Sequence, residues 1–188
     1  MDKDKRKIMI IGVGGIGSYL APLLNKVGTY SMFLADPDIV EEKNLSYQNF
    51  DKTTVGKKKV NSLYLNRHIR SDYPIKTDAC LRKDKMDLIV CCADNLDVRR
   101  LVYNSDVPWL DLRAQGRMGL LVCYKEDKKM YSTLTAGPDG SFSCQGDAWD
   151  KSNAGVHFTH VAVAGYGAEW IQRYFNGEDV HKHIQVSA

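Results

Sequence analysis

Ile8-Met-Ile-Ile-Gly-Val-Gly-Gly-Ile-Gly-Ser18 is the stretch that decides the fold. It opens with a continuous apolar run, as a strand buried on both faces of a sheet should. Gly12, Gly14 and Gly17 then fit G-x-G-x-x-G, and Ile16, Leu20, Leu23, Leu24 and Val27 recur in helical register. A glycine turn between strand and helix lets the backbone approach a phosphate, while the helix N-terminus supplies free N–H groups and positive partial charge. Gly28 ends the helix as a C-cap would. Ser31-Met-Phe-Leu-Ala35 is a second strand ending on Asp36, where a carboxylate about 20 residues after the turn can accept both hydroxyls of a ribose. A nucleotide site is expected, with NAD and ATP both open.

Outward from this core the alternation continues. A helix is expected from about Gly56 to Ile69, a strand over Met86–Ala93, and a helix from Asp94-Asn95 to Tyr103 or Asn104. Val107–Leu112 reads as a further strand, and Met118–Tyr124 and Met130–Thr135 as two strands around the polar turn 125–129. Ala136–Gly155 is rich in Gly, Ser, Asp and Asn and reads as a long loop; Phe158–Phe175 returns to helix. The sum is one domain over 1–188, with a loop at 135–157 and a late helix at 158–176. Its class is α/β: a Rossmann-like, mostly parallel sheet with helices on both faces and late antiparallel strands.

The chain has 188 residues, 44% hydrophobic and 26% charged, enough for one full core. Its formal charge of +3 is too small to argue for nucleic acid, and its lysine clusters read as solvated faces. The five cysteines (Cys80, Cys91, Cys92, Cys123, Cys144) are odd in number and include no C-x-x-C, which argues against a disulfide framework and a tetrathiolate zinc site. A reducing cytoplasm is the simplest home. The polar first residues do not read as a signal peptide, and no apolar run is long enough to cross a membrane.

Three later segments bear on which nucleotide. Asp36-Pro-Asp-Ile-Val-Glu-Glu-Lys-Asn-Leu-Ser-Tyr-Gln48 places acids and amides where an NAD site would use a short apolar loop. Val55-Gly-Lys-Lys-Lys-Val60 brings three cations suited to phosphate oxygens. Cys92-Ala-Asp-Asn-Leu-Asp-Val-Arg-Arg100 puts an acid at the C-terminal end of a strand, the rim where open α/β sheets bind ligands. A carboxylate there beside a lysine suits Mg²⁺ and a triphosphate.

At these segments the chain resembles the E1-like, ThiF/MoeB/HesA-type adenylyltransferases. The matches are Gly12–Ser18 including Gly15, then Asp36, Asp38, Val40, Asn44, Leu45 and Gln48, then Gly56 and Lys59, then Asp94, Asn95 and Arg99. The resemblance covers about residues 7–124 and resumes weakly at His160–Gly177. It implies attack by a carboxylate on the α-phosphorus of ATP, with release of pyrophosphate. The acceptor would be the C-terminus of a small ubiquitin-like or sulfur-carrier protein or peptide, and the enzyme a homo- or heterodimer. By the same resemblance Asp94 would hold Mg²⁺, Lys59 the phosphates and Asp36 the ribose. Asn44 and Gln48 would lie near the phosphates, with Gly12, Gly14, Gly15, Gly17, Asp38 and Asn95 completing the nucleotide site.

Tyr47 stands where that family has arginine, and a cation at developing phosphate charge is worth a few kcal/mol of barrier. This motivates a second reading, an inactive nucleotide-binding scaffold. A third, an NAD(P)-dependent oxidoreductase, leaves Asn44, Gln48 and Lys59 without a task. The cysteine pairs that hold zinc in many relatives are absent, so no zinc is expected. Cys144 is a candidate thioester or persulfide nucleophile, weighed against an ordinary loop cysteine. His157 and His160 are more simply packing residues than metal ligands.

Overall fold

The computed structural model describes residues 6–66, 68–76, 81, 86–136, 145 and 155–188. Seven strands form one sheet in the order β3-β2-β1-β4-β5-β6-β7. They are β1 (Arg6–Ile11), β2 (Tyr30–Ala35), β3 (His68–Ser71), β4 (Leu88–Cys91), β5 (Trp109–Gln115), β6 (Met118–Cys123) and β7 (His183–Ser187). β3, β2, β1, β4 and β5 run parallel. β6 returns antiparallel to β5, and β7 antiparallel to β6.

Strand alternation divides the core in two. Ile8 and Ile10 of β1 join Leu88, Val90, Leu110 and Leu112 on the face covered by α1 (Gly17–Val27) and α4 (Thr159–Phe175). Met9 and Ile11 join Ile89, Cys91, Trp109 and Val122 on the face covered by α2 (Leu96–Tyr103) and α3 (Lys128–Leu134). Both faces of the central strands are therefore dry, which is why their sequences are unbroken apolar runs. Among the described residues no helix is long and apolar enough to cross a membrane.

Two expectations are corrected by the structure, and one strand is added. The helix expected over 56–69 is absent: Gly56 turns with φ 82°, Lys59–Asn61 makes one 3-10 turn, and His68–Ser71 becomes strand β3. Tertiary bonds decide this. Lys59 N–H donates to the Asp38 carbonyl at 3.0 Å, Ile39 bridges Lys58, and the open edge of β2 captures 68–71. The strand expected at 130–135 is helix α3, because Asp127 caps it by accepting from Lys129 N–H at 2.8 Å. Met130, Tyr131 and Leu134 then fall on one helical face against the second core. Residues 183–187, beyond the late helix, pair with β6 as a seventh strand.

Candidate active site

The glycine turn ends β1 at the centre of the sheet. Gly12 has φ 89°, and a Cβ there would lie 2.7 Å from the Ala93 nitrogen, so the turn can nestle against the end of β4 only as glycine. A Cβ on Gly17 would overlap the Gly12 carbonyl oxygen. Gly14 differs: its nearest neighbour would be Gln48 Nε2 at 3.8 Å, ordinary contact. The fold therefore requires Gly12 and Gly17, whereas the open side of Gly14 faces a cavity.

Asp36 closes β2 beside the turn and is 4% exposed. Its Oδ2 accepts from Val13 N–H at 2.6 Å and its Oδ1 from Asp38 N–H at 2.8 Å. Burial raises its pKa, and Lys59 and the two backbone donors offset this only in part. Lys59 is also buried, with Nζ 2.9 Å from Asp38 Oδ2. Burial alone would lower the ammonium's pKa, but Asp36 and Asp38 outweigh it and the net shift is upward. Lys59 is thus a charged, nearly dry cation.

The polar loop is held from three sides. Asn44 Oδ1 accepts from Glu41 N–H at 2.9 Å, closing a 3-10 capping box. Asn49 bonds back to Ser18 of α1, and His160 of α4 donates from Nε2 to the Tyr47 carbonyl at 2.6 Å. Tyr47 is buried with its ring edge-on to His160, centroids 6.1 Å apart. Gln48 is buried too, and its Oε1 has no hydrogen-bond partner in the structure. An orphaned amide oxygen in a cavity wall is costly unless a ligand or water completes it.

Asp94 and Asn95 follow β4. Asn95 Oδ1 caps α2, accepting from Asp97 N–H at 2.8 Å and Val98 N–H at 3.1 Å, as the sequence suggested. Asp94 is exposed at the rim.

One cavity of about 1200 Å³ gathers these parts. Gly12, Gly14, Gly15, Asp36, Asp38, Asn44, Gln48, Lys59, Asp94 and Asn95 all line it; Gly17 lies beneath the turn. Cys144 falls outside the described residues. Of the described cysteines, burial pushes Cys91 up to about 11 and raises Cys92 and Cys123, so none is a thiolate at neutral pH.

Sequence reasoning missed one further group. Asp111, fully buried on β5, meets Arg99 of α2 through Oδ1 and Arg113 Nε through Oδ2 at 2.7 Å, and accepts from Tyr103 Oη. Burial alone would raise the Asp111 carboxyl, but the two guanidiniums outweigh it and hold the pKa below the ordinary carboxylate value. Arg99 and Arg113 line the cavity. β5 was expected to stop at Leu112; it runs to Gln115 and carries Arg113 to the rim. An acid inside an apolar strand, Trp-Leu-Asp-Leu-Arg, was the available signal, since a buried carboxylate requires partners.

The family model described as "ThiF family" matches residues 3–181. The molybdopterin-synthase adenylyltransferase of Salmonella typhimurium is 29% identical over 153 residues, 71% of this chain and 59% of that protein. The ATP-dependent ubiquitin transferase-like protein Cap2 of Enterobacter hormaechei is 35% identical over 81 residues, 42% of this chain and 13% of that protein. Among solved structures, E. coli MccB with ATP superposes with a TM-score of 0.69 at 18% identity, covering 98% of this chain and 61% of that one. The chain spans less than two thirds of the length of each.

Proposed function

The chain belongs to the ThiF family, and on that premise we propose that it is an ATP- and Mg²⁺-dependent adenylyltransferase. Its acceptor is the C-terminal carboxylate of a small ubiquitin-like or sulfur-carrier protein or peptide. One observation carries this reading: five segments distant in sequence, at Gly14, Asp36, Gln48, Lys59 and Asp94, converge on a single cavity. The ATP complex of MccB supports the nucleotide, and the named activity of the Salmonella relative supports the reaction class.

Asp36, anchored by two backbone donors, presents its remaining lone pairs to the ribose. The glycine turn approaches the phosphates at Gly14, and Gln48 directs its amide toward them. Lys59, held by Asp38 and little hydrated, neutralises phosphate charge where a low local dielectric strengthens it. Asp94 would hold Mg²⁺, which when bound screens the polyphosphate. The acceptor carboxylate oxygen bonds to the α-phosphorus as the bond to the pyrophosphate oxygen breaks. Acyl-adenylate and pyrophosphate are the products, and positioning does most of the work.

Mg²⁺-dependent ATP–pyrophosphate exchange, stimulated by the acceptor and lost in Asp94→Ala, is the test. ATP binding with exchange at background even under saturating acceptor would favour the second reading, a nucleotide-binding subunit without turnover. Tyr47 motivates that reading, because it packs against His160 at the position where the family resemblance implies an arginine. A single adenylation domain of this kind would work without zinc, in the cytoplasm, as a homo- or heterodimer; light scattering after size exclusion tests the assembly.

A further inference from the structure

The cations of the cavity wall are not all neutralised alike. Lys43 pairs with Glu41 at 2.6 Å and Lys59 with Asp38 at 2.9 Å, with Asp36 also acting on the Lys59 charge, so each has at least one carboxylate to itself. At the β5–α2 wall, Asp111 serves both Arg99 and Arg113, leaving one positive charge in excess among the described residues. Arg99 is almost completely enclosed, whereas the Arg113 side chain is 21% exposed. Arg113 also donates from Nη1 to the Leu134 carbonyl and from Nη2 to Tyr103 Oη, each at 2.8 Å. A guanidinium has five N–H donors. Three are spent on described residues and two remain, on a side chain held rigidly from β5, α2 and α3.

The location says which anion would meet them. β5 lies one strand beyond β4, which carries Asp94, and two beyond β1, which carries the glycine turn. Two inter-strand spacings are about 10 Å. A nucleotide with its ribose at Asp36 and phosphates at Gly14 and Lys59 occupies the β2–β1–β4 part of the rim, and Arg113 stands on the far side of Asp94. We propose that Arg113, braced by Asp111, Tyr103 and Leu134, is the seat for the terminal carboxylate of the incoming acceptor, orienting it toward the α-phosphorus. This rests on the adenylyltransferase reading and names the residue of this chain that selects a free C-terminus. It also supplies a cation within the chain at a site where position 47 offers none.

The test uses two synthetic octapeptides of identical sequence ending in Gly-Gly, one a free acid and one a C-terminal amide. Binding is followed by fluorescence anisotropy, with and without a non-hydrolysable ATP analogue and Mg²⁺. The wild type should prefer the acid by about tenfold, the size of a charge-assisted hydrogen bond. Arg113→Gln should abolish the preference with analogue affinity unchanged, while Tyr103→Phe, which removes a brace but no charge, should keep it. If Arg113→Gln does not fold, Arg113→Lys replaces it, keeping a cation without the fork; its preference should fall to about threefold. Equal binding of the two peptides by the wild type, including none of either, overturns the proposal. So does a preference that persists in Arg113→Gln or is undiminished in Arg113→Lys, or an Arg113→Gln defect in analogue binding alone, which would give the guanidinium to the phosphates. Absence of analogue binding by the wild type counts against the adenylyltransferase reading instead, since the peptide preference is read without nucleotide too.

Discussion

Asn49 is bonded twice to Ser18: its backbone N–H donates to the Ser18 hydroxyl at 3.0 Å, and its side-chain amide to the Ser18 carbonyl at 3.1 Å. That carbonyl is available because Pro22, four residues on in α1, has no N–H to donate. A proline that looks like a helix defect thus leaves the acceptor on which the loop bearing Tyr47 and Gln48 is docked. Asn49→Ala should cost about 1–2 kcal/mol in urea unfolding. It should also speed amide exchange across 44–50 and weaken ATP binding. Unchanged exchange there would show that the loop is held without Asn49.

Gly14 and Gly17 should separate binding from folding. Gly17→Ala drives a methyl into the Gly12 carbonyl and should lower stability by roughly 3 kcal/mol or prevent folding. Gly14→Ala meets only Gln48 Nε2 at 3.8 Å, so its melting temperature should match the wild type while calorimetric ATP affinity drops at least about tenfold. A Gly14→Ala protein binding ATP normally would mean that no phosphate approaches this turn.

His160 sets a pH dependence of known sign. Burial lowers its pKa below 6.5, more than the bond to the Tyr47 carbonyl raises it. The unfolded chain therefore binds the proton more readily than the folded one. The stability linked to neutral His160 is complete above 6.5 and is lost as pH falls from there through the depressed folded value. His160→Gln should flatten the decline in melting temperature between pH 7.5 and 5.5. Part of the decline should persist through His68, which burial and Arg70 also shift down.

The two glycines inside α4 should behave oppositely. A Cβ on Gly165 would meet nothing within 4 Å, whereas one on Gly167 would lie 2.7 Å from Leu112 Cδ1. Gly165→Ala should stabilise the protein by about 0.5–1 kcal/mol through helix propensity. Gly167→Ala should destabilise it, since Leu112 is fully buried and has little room to yield. Denaturant midpoints of the two variants test this directly.

Lys59→Ala should reduce exchange by about a hundredfold or more, the scale for losing a charge-stabilising donor. Asp38→Asn should have a smaller effect, because Asp36 still holds the ammonium's charge. Comparable losses in both variants would make Asp38 more than the anchor of Lys59.

The local signals in the chain determined the strands and turns that carry most of the nucleotide candidates. The runs at Ile8 and Leu88 are apolar because both faces of those strands are covered. The spacing of strand, glycines, helix and second strand puts Asp36 beside the turn, and Asn95 caps the helix that starts next to it. Such short-range physics is written in composition and spacing. What failed to show lay where distant backbone chose the conformation. The 56–69 segment gave up a helix because Asp38 and the edge of β2 took its hydrogen bonds, and β7 exists because β6 offered an open edge. Arg113 became a cavity residue only when β5 continued past Leu112 and Asp111 drew in two arginines from separate elements. A buried charge is neutralised by whatever folding brings beside it, and only the tertiary structure decides what that is.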